Sequence, residues 1–302
     1  MNAVGVTLAT VALGGLLFLA MIVATVWLRQ ERIAYQPPAV TPMPPAGVVR
    51  VDYTASDGQR LYAYLIEPPS GDTSPRTLVA FHGNADLAVW QVGWGREVAR
   101  RAGWRVLLAE YRGYGGLTGT PSYEGLQRDA RAAWEYARDS LASVSRATAL
   151  FGHSLGSAVA IELAAELSGK ESPPLLLLQS PFTSARDMAC IVANRPVHLL
   201  WKLITRIHYD TRDKLAMLDA PVWIAHGERD WLVPVAMGRE LHRIARRPGR
   251  LLLVGEAGHN DVEEHGGTAY WQWLADGLAE AATAHSASAA RLESRRHTGT
   301  SG

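Results

Sequence analysis

The segment Gly152-His153-Ser154-Leu155-Gly156 constrains the fold of this chain more than any other part of its sequence. ATALF before it is an apolar run typical of a buried strand, and SAVAIELAAEL after it has the composition of a helix. A serine on a tight strand-to-helix turn needs small neighbours because the backbone closes on itself there. The alternative is a serine that only caps a helix, but the preceding strand favours the turn. We therefore predict that Ser154 lies on this turn as a candidate nucleophile.

Apolar runs and helical patterns alternate along most of the chain. Short, nearly continuous apolar runs indicate strands that are buried on both faces. Strands that alternate with helices predict parallel βαβ units, an α/β fold with helices on both faces of the sheet. The predicted strands are VVRVDY, RLYAYLIE, TLVAFHG, WRVLLAEY, ATALFG, PLLLLQS, PVWIAHG and RLLLVGE.

Residues 1–28 are predicted to form one transmembrane anchor. Positions 3–28 hold no charged residue, and about 20 apolar residues span a bilayer core. A signal peptide would begin with positive charge and end at a small-residue cleavage site, so we favour an uncleaved anchor over a signal or a buried core helix. Arg29 and Arg32 follow the run directly, and this positive flank favours the cytoplasmic side for the rest of the chain.

Three further divisions follow from composition. Residues 29–47 are proline-rich and are predicted to be a stiff linker, followed by a globular domain over residues 48–282. Within that domain, residues 182–218 are too long for a plain loop and are predicted to form a small helical cap, which lines an acyl pocket or contacts lipid, or else packs as ordinary core. Residues 283–302 lack apolar periodicity and are predicted to be disordered.

The charge balance and the single cysteine limit the classes of function. A net charge of +1 without a basic stripe argues against nucleic acid as a partner. Cys190 lies in the apolar stretch DMACIVA with no histidine beside it, so we predict a buried or packing residue rather than a nucleophile.

A nucleophilic serine needs a base, and the acid and the histidine follow such a serine in that order along the chain. Asp230 in HGERDWLVP and His259 in GEAGHND each come just after a predicted strand. Loops at those strand ends meet at the edge of the sheet where Ser154 is expected, so we predict that Asp230 orients His259 as the general base.

Other titratable residues compete for these roles less well. Glu228 lies two residues nearer the strand than Asp230, and His226 lies where the strand is ending and is assigned a structural role. His265 with Asp261 and His259 could suggest a metal cluster, but no HExxH or His-x-x-His spacing is present. The remaining acidic competitors are Asp210, Asp213 and Asp219.

Backbone donors for a developing oxyanion are predicted at two positions. The N–H of Leu155 directly follows the nucleophile, and the loop His82-Gly83-Asn84-Ala85 after TLVAF supplies the N–H of Asn84. The glycine-rich turn that begins at Arg112 lacks both Walker and Rossmann spacing, so it is assigned a loop-shaping role. We expect neither a cofactor nor a metal.

Taken together, FHGNA, YRGYGG, GHSLGSAVA, QSPFTSARDMA, HGERDWLVP and GHND resemble the membrane-anchored branch of the α/β-hydrolase-domain family over residues 32–274. The resemblance implies an eight-stranded, mostly parallel sheet and a Ser154–Asp230–His259 triad. It also implies hydrolysis of esters, protein thioesters or lysophospholipids, and relatives are sometimes labelled peptidases. Ser157 replaces the last glycine of the common GHSLGG, and this small residue should preserve the turn.

The sequence thus predicts a single-pass membrane protein that is a serine hydrolase of carboxylic esters or thioesters. It is expected to act through an acyl-enzyme, on substrates that can be lipid-like. A peptidase of the same fold and a non-catalytic membrane scaffold are the two alternatives.

Overall fold

An eight-stranded sheet organises this computed structural model, which describes residues 3–69, 76–141, 147–192 and 205–298. The strand order is β1-β2-β4-β3-β5-β6-β7-β8. β1 and β2 pair antiparallel, β2 pairs antiparallel with β4, and the remaining pairs are parallel. The strands are β1 (Val49–Thr54), β2 (Arg60–Ile66), β3 (Thr77–Phe81), β4 (Arg105–Ala109), β5 (Thr148–His153), β6 (Leu176–Gln179), β7 (Val222–Gly227) and β8 (Pro248–Val254). The predicted α/β class and the eight-stranded, mostly parallel sheet are confirmed.

Helices cover both faces of the sheet and bury a separate apolar cluster on each side. On one face, Trp134 and Ile161 belong to a cluster that also includes Leu215 and Leu241. On the other face, Val98 and Trp273 belong to the second cluster. The helices are α1 (Ala3–Ala34), α2 (Val92–Ala102), α3 (Tyr123–Asp139), α4 (Leu155–Leu167), α5 (Ala185–Val192), α6 (Thr211–Met217), α7 (Val235–Ile244) and α8 (Val262–Thr298), with a 3-10 turn at Ala88–Gln91.

Fully buried core strands explain the apolar runs of the sequence. All five residues of β3, all four of β6 and all six of β7 are buried. Removing such side chains from water stabilises the fold by roughly 1.5–3 kcal/mol for each large aliphatic or aromatic residue. The parallel strands therefore form the rigid centre of the domain, and their carboxyl ends present loops at one edge.

The N-terminal helix is longer than the predicted anchor. α1 continues through Ala34, so the first six residues of the predicted linker, 29–34, are helical. Within it, Thr10–Ala34 is apolar and long enough to cross a membrane, with a mean hydropathy of 2.4. Its large apolar side chains, such as Leu16 and Phe18, are exposed. Proline first appears at position 37, which explains why the helix can extend beyond residue 28.

Two other segments differ from the sequence prediction. α8 continues to Thr298, so residues 283–298 are helical where a disordered tail was expected; the alanine, glutamate and arginine of this stretch are strong helix formers. Cys190, expected to be buried or packed, is exposed on α5, so the prediction of burial is wrong. The apolar stretch around it misled the prediction because α5 turns this position toward solvent.

The predicted cap, residues 182–218, contains α5 and α6, while its residues 193–204 lie outside the described part of the chain. α5 begins where the Ser184 hydroxyl accepts a hydrogen bond from the Asp187 N–H at 3.0 Å. The proposal of a helical cap therefore rests on these two short helices.

Candidate active site

Ser154 lies between β5 and α4 with backbone angles that few L-residues adopt, φ 52° and ψ −114°. The close packing of this turn explains its two glycines. A Cβ on Gly152 would collide with the Gly156 carbonyl, and a Cβ on Gly156 would collide with the Phe81 carbonyl of β3. The Ser154 N–H donates to the Gln179 carbonyl at 3.0 Å, which holds the turn against the end of β6. The strand–turn–helix unit therefore has the conformation that its sequence predicts.

Three of the predicted residues form one chain of hydrogen bonds. The His259 Nε2 lies 2.9 Å from the Ser154 Oγ, and the His259 Nδ1 lies 2.7 Å from the Asp230 Oδ2. Because a carboxylate accepts only, Nδ1 is the protonated nitrogen and Nε2 accepts from the serine hydroxyl. His259 and Asp230 are both buried, at 6% and 7% exposure, so little water competes for these bonds.

Asp230 is fixed by more than its bond to His259. Its Oδ1 accepts the N–H groups of Leu232 and Val233 at 3.0 and 2.7 Å, and the His226 Nε2 lies 3.3 Å from its Oδ2. Burial by itself raises the pKa of Asp230, but the hydrogen bonds from His226 and His259 outweigh it and hold the pKa below the usual range. The carboxylate is therefore ionised at neutral pH and accepts three hydrogen bonds, from His259 and from the N–H groups of Leu232 and Val233.

The loops that carry the acid and the histidine also contact each other directly. The Arg229 N–H donates to the Ala257 carbonyl at 2.9 Å. At the end of β7, a Cβ on Gly227 would collide with the carbonyls of Ala257 and Gly258. The glycine in HGERD thus permits the close approach that brings Asp230 to His259.

His153 was not singled out by sequence reasoning, although it stands inside the serine motif. Its Nε2 donates to the His259 backbone carbonyl at 3.2 Å, and the two imidazole rings lie 5.2 Å apart. Burial and the neighbouring His259 lower the pKa of His153 to about 3, so it is neutral at physiological pH. It therefore braces the loop of His259 as a neutral donor, a long-range contact that motif spacing does not encode.

The predicted oxyanion donors lie on two segments that approach Ser154. Leu155 is the first residue of α4, where the helix itself offers its N–H no partner. A Cβ added to Gly83 would lie 3.5 Å from the Ser154 Cβ, so the loop that carries Asn84 passes directly beside the serine. Both segments thus meet at the nucleophile, although Asn84 also has a second set of contacts through its side chain.

A buried pair, His82 and Glu110, holds the loop that carries Asn84. The His82 Nε2 lies 2.8 Å from the Glu110 Oε1, and its Nδ1 lies 2.8 Å from the Gly83 carbonyl. Burial lowers the pKa of His82, but the charge and hydrogen bond of Glu110 outweigh it and the net pKa is raised. With an acceptor at each nitrogen, the ring holds the Asn84 loop in place through two hydrogen bonds.

The competing residues have other partners. Glu228 pairs with Arg239 at 2.7 Å on the surface. The Asp261 Oδ1 accepts the Gly258 N–H at 2.6 Å, and the His265 Nδ1 lies 3.2 Å from the Asp261 carbonyl. Among the residues that the structure describes, no group of three or more potential ligands is arranged to hold a metal ion.

Comparison with known proteins places this architecture among hydrolases. The family model for serine aminopeptidase, S33, matches residues 73–214. An uncharacterized protein of Mycobacterium tuberculosis is 35% identical over 257 residues, which cover 80% of this chain and 84% of that protein. The lysophosphatidylserine lipase ABHD12 of Rattus norvegicus is 30% identical over 163 residues, which cover 49% of this chain and 40% of the lipase. A Pyrococcus furiosus esterase superposes with a TM-score of 0.62 at 19% identity, covering 81% of this chain and 96% of the esterase.

Proposed function

The chain belongs to the α/β-hydrolase-domain family, and on that premise we propose that it is a membrane-tethered serine hydrolase that cleaves carboxylic esters or thioesters. One observation carries the proposal: the Ser154 hydroxyl, the His259 imidazole and the Asp230 carboxylate form a continuous chain with separations of 2.9 and 2.7 Å. A scaffold that only binds a partner has no need of this arrangement.

The proposed reaction proceeds in two halves. His259 Nε2 takes the hydroxyl proton as the Ser154 Oγ bonds to the substrate carbonyl carbon, and the carbonyl oxygen becomes an oxyanion. The N–H groups of Leu155 and Asn84 stabilise that charge. His259 then protonates the leaving alcohol or thiol as its bond to the acyl carbon breaks. A water molecule, deprotonated by His259, releases the acid and restores Ser154.

The ionised Asp230 acts throughout as a fixed partner of His259. Its charge stabilises the imidazolium that forms in each half of the reaction, and its hydrogen bond keeps the proton on Nδ1. Because Asp230 has a lowered pKa, it retains its charge and does not take the proton from His259.

The N-terminal helix supports a substrate with lipid character. We propose that α1 spans the bilayer as a single pass, with Arg29 and Arg32 favouring a cytoplasmic domain. A hydrolase tethered in this way meets acylated molecules at the membrane surface. Two of the compared proteins are named as a lysophosphatidylserine lipase and an esterase, that is, as enzymes that cleave ester bonds.

The test is hydrolysis of p-nitrophenyl esters and acyl thioesters, from short to long chains, by the full-length protein in detergent. Turnover by the wild type and its loss by at least about 10³-fold in Ser154→Ala is the expected result. Ser168→Ala, at the other end of α4, is the matched control and should keep wild-type activity. A fluorophosphonate probe should label the wild type and the control, and persistent labelling of Ser154→Ala would refute the assignment of the nucleophile.

An aminopeptidase is the second candidate, because the family model that matches residues 73–214 carries that description. Turnover of aminoacyl-anilides together with no turnover of the ester and thioester series would favour it. No turnover of either series by the folded protein would favour a membrane scaffold.

A further inference from the structure

The last turn of α1 is seated directly on the loop that carries Asn84. The Asn84 Nδ2 donates to the Ala34 carbonyl at 2.7 Å, and its Oδ1 accepts the Gln36 N–H at 2.9 Å. Ala34 is the final residue of α1, where the helix itself offers its carbonyl no partner. The Asn84 side chain therefore caps the C-terminus of the membrane helix.

The same carboxamide is also bonded to a different segment of the chain. The Tyr114 hydroxyl donates to the Asn84 Oδ1 at 2.7 Å, and Tyr114 is completely buried in the glycine-rich turn that begins at Arg112. An asparagine side chain has two donor hydrogens and an oxygen that accepts two bonds. Three of these four possibilities are used, so the amide cannot rotate without breaking bonds to α1 or to Tyr114.

The end of α1 is itself held in place by neighbouring residues of the cap region. Tyr35 is 3% exposed, and its hydroxyl donates to the Tyr209 hydroxyl at 3.2 Å. Gln30 is equally buried, and its Oε1 accepts the Arg206 N–H at 2.6 Å. The Arg206 guanidinium also lies 3.3 Å from the carboxylate of Glu31. A helix that served only as a membrane tether would not need buried polar contacts at its C-terminal end.

We propose that residues 30–36, here called the clamp segment, position the N–H of Asn84 for the oxyanion, so that the membrane helix is a functional part of the active site. The inference rests on the hydrolase function proposed above. The clamp segment acts through Asn84 and touches no reacting atom, which makes Tyr35 a positioning residue.

The contribution of an oxyanion donor depends on its distance from the charged oxygen. An oxyanion donor is effective when it lies about 2.7–3.1 Å from the position of the charged oxygen, and removal of one donor lowers kcat by about 10²–10³-fold. The Asn84 backbone follows its side chain, which is bonded to Ala34, Gln36 and Tyr114. A loop released from these bonds would move its N–H away from the oxyanion. Since the oxyanion exists only in the transition state, kcat should fall while KM remains nearly unchanged.

A double-mutant cycle in the full-length protein in detergent tests this coupling, with a short, water-soluble p-nitrophenyl ester as substrate. Asn84→Ala keeps the backbone N–H but removes the side-chain bonds, and we expect it to lower kcat by about tenfold or more. Tyr35→Ala should have a similar effect. In the double variant, kcat should be no lower than in Asn84→Ala alone, because both changes release the same loop.

Met43→Ala is the matched control, since its side chain is exposed and lies outside the clamp segment. It should keep the kcat and KM of the wild type. If Tyr35→Ala does not fold, Tyr35→Phe takes its place in the cycle; it loses only the bond to Tyr209, and about a threefold fall in kcat is expected.

Two outcomes would overturn the inference: a kcat within twofold of the wild type for both single variants, or effects that multiply fully in the double variant. A change in thermal midpoint with no change in kcat would show that the contacts stabilise the fold only. Failure of the proposed function looks different, because the wild type would then show no turnover that depends on Ser154.

Discussion

Two histidines beside Ser154 have opposite electrostatic roles that follow from their partners. His259 faces the ionised Asp230, which would stabilise the ring as a cation when it accepts the serine proton in the proposed reaction. His153 donates to the His259 carbonyl and packs against the ring of His259, and burial together with that ring lowers its pKa to about 3. In the proposed reaction His259 gains a proton, whereas His153, which packs against it, remains neutral.

This neutrality predicts a pH dependence of stability. The usual histidine pKa is about 6.5, so between pH 6.5 and pH 3 the unfolded chain binds a proton at His153 that the folded chain does not. The neutral His153 therefore makes its full contribution to the free energy of unfolding above pH 6.5. This contribution is lost progressively as the pH falls toward 3. Denaturant titrations from pH 4.5 to 8 should show the wild type losing up to about 1.4 kcal/mol of unfolding free energy per pH unit more than His153→Gln.

In that variant the glutamine amide can still donate to the His259 carbonyl but does not titrate. Equal slopes for the two proteins would show that His153 is protonated in the folded state at these pH values.

At the scale of elements, the turn between β5 and α4 brings three strands together. Its first glycine closes the turn on itself, and Gly156 allows α4 to approach the end of β3. That approach places Ser154 beside the Asn84 loop, which follows β3. The glycines of the motif therefore determine the distance between the nucleophile and the proposed oxyanion donors.

Two glycine-to-alanine substitutions test this dependence on close packing. Gly156→Ala places a Cβ against the Phe81 carbonyl and should destabilise the protein by about 3 kcal/mol or more, since a backbone group cannot move aside. Gly93→Ala, in α2, meets no atom within 4 Å and should be neutral or stabilise by about 0.5–1 kcal/mol. The thermal midpoints of both variants measure this difference in stability. Equal midpoints would contradict the described packing at Gly156.

The elements differ in how far the sequence determines them. β3, β6 and β7 are nearly continuous apolar runs, and this pattern was sufficient to predict them. The placement of Ser154, Asp230 and His259 followed from strand ends, because carboxyl ends of parallel strands share one edge. Long-range polar contacts, such as His153 with the His259 carbonyl, have no local signal. The helical continuation of α8 was missed because composition alone suggested disorder.

At the scale of the whole molecule, α1 and the α/β-hydrolase domain are joined by specific contacts instead of a free linker. α1 continues to Ala34, and Tyr35 is buried directly after it. The Arg206 guanidinium lies 4.8 Å from the centre of the Trp27 ring, so a charged group of the domain stacks on the helix near its exit. The proposed site and the proposed bilayer surface are therefore close neighbours.

The exposure of Cys190 offers a way to determine which side of the membrane holds the domain. The chain has one cysteine, and α5 presents it to solvent, so a thiol reagent has one place to react. With a cytoplasmic domain, a membrane-impermeant maleimide should leave intact cells unlabelled and modify the protein only after permeabilisation. Labelling of intact cells that disappears in Cys190→Ser would place the domain outside. A residue without a role in the chemistry thus serves as a built-in topological marker.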